Sequence, residues 1–154
     1  MTVQLWKRNA VGAVVAAAAL AVHAAFISGP AWESYQRRVQ PAHIAAVGQP
    51  VIVDGQTWSV RTFSRSTTQL GSGAPLPEGT VRVNVVVERS GSAADGFGCT
   101  AYLVDGDRSW RSNMGPPCGA ATSMAWSFLV PASAEPQAVD IKEPDLSILL
   151  RLQL

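Results

Sequence analysis

The stretch Cys99 to Trp110, CTAYLVDGDRSW, holds one of the two cysteines in the chain and its densest acidic turn. Asp105 and Asp107 stand two residues apart, the spacing at which side-chain oxygens begin a calcium loop. The later ligands of such a loop do not follow. The same Asp-Gly-Asp triplet suits a tight hairpin turn, because aspartate bonds its own backbone and glycine accepts positive φ. A turn is the expectation, with Asp105 and Asp107 as metal ligands kept as the alternative.

Cys99 and Cys118 are separated by eighteen residues. Two cysteines and remote histidines do not make the four-ligand set that zinc requires. A nucleophilic thiolate needs an electropositive neighbour and must escape oxidation. A structural disulfide fits better, since closing a loop of this size stabilises a fold by roughly 3 kcal/mol on the chain-entropy model. Such a pair persists in an oxidising compartment.

Other catalytic sets are poorly supplied. Of the two histidines, His23 lies in a hydrophobic run and His43 in the segment before the domain. Neither is placed to deprotonate a serine. Glu88, Asp95, Asp105 and Asp107 offer carboxylates for paired acid/base work, but no sugar-binding signature accompanies them. A net charge of +1, with eight basic and ten acidic residues after Val39, offers no basic surface for nucleic acid. A non-enzymatic protein without a cofactor is expected.

The elements that carry these residues begin with the run Ala10 to Ile27, which follows Lys7 and Arg8 and ends at Ser28-Gly29-Pro30. Eighteen helical residues rise about 27 Å, enough to span a hydrocarbon core of about 30 Å. Residues 1–9 are expected in the cytoplasm and 10–28 as a transmembrane helix, with Trp6, Trp32 and Tyr35 at the interfaces. A cleaved signal peptide is the alternative, because Val22-His23-Ala24 meets the small-residue rule before a cut. Residues 29–46 read as a stalk or interfacial helix. Arg37 and Arg38 oppose the charge bias of Lys7 and Arg8, and the cysteine pair favours the domain outside.

From residue 47 to 154 the texture is that of short strands. Val51 to Val53 meets Asp54-Gly55 and then Thr57 to Phe63, a hairpin with Trp58, Val60 and Thr62 on one side. Ser64 to Gly79 reads as a long loop. Thr80 to Arg89 alternates, with Val81, Val83, Val85 and Val87 on one face. Ser90 to Gly98 is a polar loop; Cys99 to Val104 and Ser109 to Arg111 flank the acidic turn. Gly115-Pro116-Pro117 breaks the chain before Met124 to Val130. Val139 to Ile141 pairs briefly, and Leu146, Ile148, Leu150, Leu152 and Leu154 share a last face. Trp58, Trp110 and Trp126 are expected in the core. Seven to eight strands punctuated by Gly and Pro indicate a mainly β protein, an antiparallel immunoglobulin-like β-sandwich after one N-terminal helix.

Gly48-Gln49-Pro50, Asp54-Gly55-Gln56-Thr57-Trp58-Ser59-Val60, Pro77-Glu78-Gly79-Thr80, Cys99, Leu103 to Trp110 and Cys118 together carry a family likeness. In these the chain resembles uncharacterised actinobacterial membrane-anchored proteins with an extracytoplasmic immunoglobulin-like domain of the telokin-like type. The resemblance implies an envelope location and that fold, and it brings no catalytic residue with it.

The functional expectation is therefore a single-pass cell-envelope protein. Its outward sandwich would bind another protein or serve a membrane complex, with the long loop's apolar Leu70 and Leu76 as the contact. The alternative is a secreted small-ligand or calcium-binding module.

Overall fold

The computed structural model describes residues 2–91, 98–119 and 121–154. The centre of the polar loop Ser90 to Gly98, including Asp95, lies outside them. Two compact units form, one reaching Gln36 and the other Arg37–Leu154.

The first unit is helical. Helix α1 (Thr2–His23) passes through a π-helical turn (Ala24–Ser28) into helix α2 (Gly29–Val39). Pro30 explains the turn: with no N–H it cannot bond the carbonyl four residues back, so the ladder must adjust just upstream. Gly29 N–H instead reaches five residues back to the Ala24 carbonyl. A Cβ on Gly29 would sit 2.9 Å from that oxygen, so glycine keeps the wide turn free of strain. His23 Nδ1 and Ser28 Oγ, 3.0 Å apart, close it on the side-chain side. The stretch Asn9–Val39 is long and apolar enough to cross a membrane, and none of its most apolar window is buried in the protein. A signal sequence meets the same criterion. Part of the segment read as a stalk is thus helical, with the Trp32 and Tyr35 rings stacked 5.6 Å apart.

The second unit is mainly β, with nine strands among the described residues. Strands β1 (His43–Ala45), β9 (Ile148–Gln153), β8 (Ala138–Lys142), β5 (Thr100–Asp105) and β6 (Arg108–Arg111) make one sheet in that order. Strands β2 (Val51–Val53), β3 (Gln56–Ser66), β4 (Thr80–Ser90) and β7 (Ser123–Pro131) make the other. All neighbours are antiparallel except β1 beside β9. The strand β1 begins four residues before the segment in which the sequence shows alternation.

Side chains from both sheets join one buried cluster, giving a sandwich-like body. Val83, Val85, Val87, Trp58, Met124, Trp126 and Phe128 come from one sheet, and Leu103, Val139, Ile141, Leu150 and Leu152 from the other. The valine alternation of β4 is the centre of this core, and Trp110 packs against it partly buried.

Two expectations shift. In β3 the register slips between Val60 and Thr62. Because side chains alternate, one extra residue moves all that follow to the other face. Thr62 therefore lies opposite Val86 on the outer face, and Phe63 takes the inward place opposite Val85. The last strand starts at Ile148, not Leu146. Leu146 occupies the preceding turn at φ 71°, half exposed, where Ser147 N–H donates to Asp145 Oδ1 at 2.9 Å.

Candidate functional site

The hairpin that opened the sequence problem is built by turn chemistry. Asp105 and Arg108 face each other across a two-residue connection, Gly106-Asp107, with Gly106 at φ 55°. A glycine at the first central position matches the twist of the flanking strands. Asp105 Oδ2 accepts from the Arg108 guanidinium and from Glu135 N–H at 3.2 Å. Asp107 is exposed. Among the described residues no three His, Cys, Asp or Glu side chains cluster as a metal would need. Glu88 is also engaged, with Arg61 at 2.5 Å, and sits apart from the Asp105 turn on the other sheet.

Cys99 and Cys118 form a disulfide. It ties the start of β5 to the end of the segment that precedes β7, and Cys118 is fully buried. The bridge closes the loop containing β5, β6 and residues 112–117. That last stretch, legible in sequence only as a Gly-Pro break, forms a wall.

Met114 lies along the free edge of β7: Ser127 N–H donates to the Met114 carbonyl, and Asn113 N–H to the Ser127 carbonyl, both at 3.0 Å. Gly115 then passes so close to Trp126 that an added Cβ would meet its Cδ1 at 2.4 Å. Trp126 Nε1 donates to the Pro116 carbonyl at 3.0 Å. Hence the wall is pinned at three successive residues, 114 to 116.

The opposite wall is the long loop. It is not structureless: Thr68 pairs with Pro75, Leu76 N–H donates to the Thr67 carbonyl at 2.8 Å, and Gln69 N–H to the Ala74 carbonyl at 2.7 Å. This small hairpin holds Leu70, 61% exposed, over the outer face of β4 and β7. Leu76, the second residue expected at the contact, is half buried and lies away from Leu70's cleft.

Between the walls is an apolar cleft of about 380 Å³, lined by Leu70, Val86, Met114 and Ala125, with Asn84 and Ser127 at its floor. Asn84 and Ser127 are register partners. Met114 is 50% exposed at the rim. The cleft can bind an apolar group; its lining contains no titratable side chain for acid/base work.

Sequence reasoning missed Met114, Val86 and Ser127. Val86 is the outward residue of a run of valines, and the facing of Met114 depends on the disulfide-closed loop. It also missed a polar row on the outer face of the five-stranded sheet, where Arg111, Tyr102, Asp140 and Arg151 are successive register partners. Arg151 makes a bidentate pair with the buried Asp140 at 2.6 and 2.8 Å. That bond keeps the Arg151 guanidinium above its ordinary pKa despite partial burial. Lys142 Nζ lies 4.6 Å from the Tyr102 ring centroid.

No protein-family model matches the chain, and no curated protein or solved structure matches it.

Proposed function

We propose that this is a non-enzymatic, single-pass cell-envelope protein whose sandwich captures a protein partner, as an accessory subunit of a membrane complex. The observation that carries the reading is the cleft at Leu70. Two large apolar side chains, Leu70 and Met114, stand at least half exposed around an apolar floor. Contiguous exposed apolar surface on a rigid scaffold favours association.

An anchor is supported by the helix itself. Val14, Leu20 and Phe26 are 69%, 70% and 75% exposed, and lipid is the solvent in which such a surface is stable. Lys7 and Arg8 before the apolar run, together with the disulfide, support a cytoplasmic N-terminus and an extracytoplasmic domain. The immunoglobulin-like reading is supported by connectivity. The β4–β5, β6–β7 and β7–β8 links each change sheet, the β5–β6 and β8–β9 hairpins do not, and β1 runs parallel to β9.

The test is co-purification from mildly solubilised native membranes with a C-terminal tag, recording the intact mass of the bait. One stoichiometric partner on an uncut bait, reduced by Leu70→Ala, is the expected result. A lone bait cut after Ala24 would refute the anchored reading and point to the secreted small-ligand module.

A further inference from the structure

We propose that the Leu70 cleft takes a tyrosine side chain of the partner, whose phenolic hydroxyl hydrogen-bonds Ser127 Oγ. The inference rests on the reading of this cleft as the partner site and specifies its anchor.

Ser127 is only 4% exposed, and its Oγ is closed to solvent with no hydrogen-bond partner among the described residues. Its backbone N–H and carbonyl are both used, by Met114 and Asn113. The hydroxyl alone is left over. Buried polar groups are normally bonded, and one that is not calls for a reason. Strand geometry does not supply it, since Ala125, two residues earlier on the same face, shows that a side chain without a hydroxyl fits the floor.

The walls narrow the chemistry of the occupant. Leu70, Val86, Met114 and Ala125 favour an apolar body, and methionine sulfur packs well at an aromatic edge. The cleft's 380 Å³ is ample, since an enclosed apolar cavity of about 150 Å³ already holds benzene. A wholly aliphatic anchor would leave Ser127 Oγ unbonded. A charged anchor would lose water without meeting an opposite charge, because no lining side chain is ionisable. A ring with one neutral polar tip satisfies both the walls and the floor. Asn84, opposite Ser127 on β4, adds a second polar group beside that tip.

The experiment is a methyl NMR titration of the full chain in detergent, reading the Met114 methyl. The probes are N-acetyl-tyrosinamide and N-acetyl-phenylalaninamide, which differ by the hydroxyl. The tyrosine probe should bind about three- to tenfold tighter, the range expected of one neutral hydrogen bond. In Ser127→Ala the ratio should fall to about one, with the phenylalanine probe binding at least as well as before, since a group left unbonded in its complex is gone.

Equal affinities in the wild type, a preference that survives Ser127→Ala, or no saturable shift with either probe would overturn the proposal. The two levels separate cleanly. Partner capture lost in Leu70→Ala without any tyrosine preference removes the anchor and leaves the partner reading. A tyrosine preference with capture unchanged in Leu70→Ala supports the pocket and removes its assignment to a protein partner.

Discussion

Gly115→Ala should destabilise the sandwich far more than a loop substitution ordinarily does. Gly115 sits at φ 135°, where a side chain loses roughly 1–3 kcal/mol to backbone strain. The new Cβ would lie 2.4 Å from Trp126 Cδ1, 2.6 Å from the Ala125 carbonyl oxygen and 3.2 Å from Trp126 Cα. None of these can yield cheaply: Trp126 is 3% exposed within the core, and the other two atoms belong to the backbone of β7. The 114–117 wall must therefore retreat, weakening the two Met114–Ser127 strand bonds and the Trp126–Pro116 bond, each worth about 1 kcal/mol. Counting strain and partial loss of those bonds gives about 3–4 kcal/mol. For a domain of this size that lowers the melting temperature by about 12–20 °C. Thermal unfolding of the oxidised full chain, followed by circular dichroism, measures it. A change below about 1 kcal/mol, closer to that of an ordinary surface substitution, would refute the argument that the wall is held by close backbone approach.

Other outcomes follow from the same geometry. Trp126→Phe keeps the ring volume near the core but loses the bond to the Pro116 carbonyl, so urea unfolding should show a loss of about 1–2 kcal/mol. Reducing the Cys99–Cys118 disulfide should cost about 3 kcal/mol, and identical melting with and without reductant would contradict a stabilising bridge. Asp140→Ala leaves Arg151 partly buried without its bidentate partner and should destabilise by about 2 kcal/mol, discounted for the solvent that reaches Arg151; Arg151→Met should recover part of it in chemical denaturation. The Asp145 carboxyl is held below its usual range, first by the Ser147 hydroxyl and next by Ser147 N–H, with smaller help from Arg37 and Arg38 against opposing desolvation. A depressed folded pKa contributes stability above the unfolded value and loses it as pH falls through the folded one. Melting temperatures between about pH 5 and pH 2 should thus fall less in Ser147→Ala than in the wild type, and parallel curves would reject the assignment.

Local rules made much of the scaffold readable. The alternation of Val81 to Val87 needed only the two-residue period of a strand to place the core face. Asp54-Gly55 needed only the conformational freedom of its two residues: both have positive φ, at 49° and 73°, as a tight hairpin connection demands. The Cys99–Cys118 pairing followed from there being two cysteines in one domain. Leu70 was legible as an apolar residue in a polar loop. By contrast, the slip in β3 that exchanges Thr62 for Phe63 depends on pairing with β4, and no pattern within β3 records it. Leu146 continued an apolar alternation yet fell in a turn, because Asp145 and Ser147 hydrogen-bond each other there.

By itself the sequence determined the apolar N-terminal helix, the mainly β domain, the disulfide and the hairpin at Asp105-Gly106, since each depends on residues near in the chain or on composition. Tertiary structure alone decided the cleft. Leu70, Val86, Met114 and Ser127 come from a loop, two strands and a disulfide-closed segment, and only the pairing of β4 with β7 and of Met114 with Ser127 brings them together. The same pairing uses the Ser127 backbone and buries its hydroxyl unbonded, a property of the packed face that no stretch of the chain carries alone.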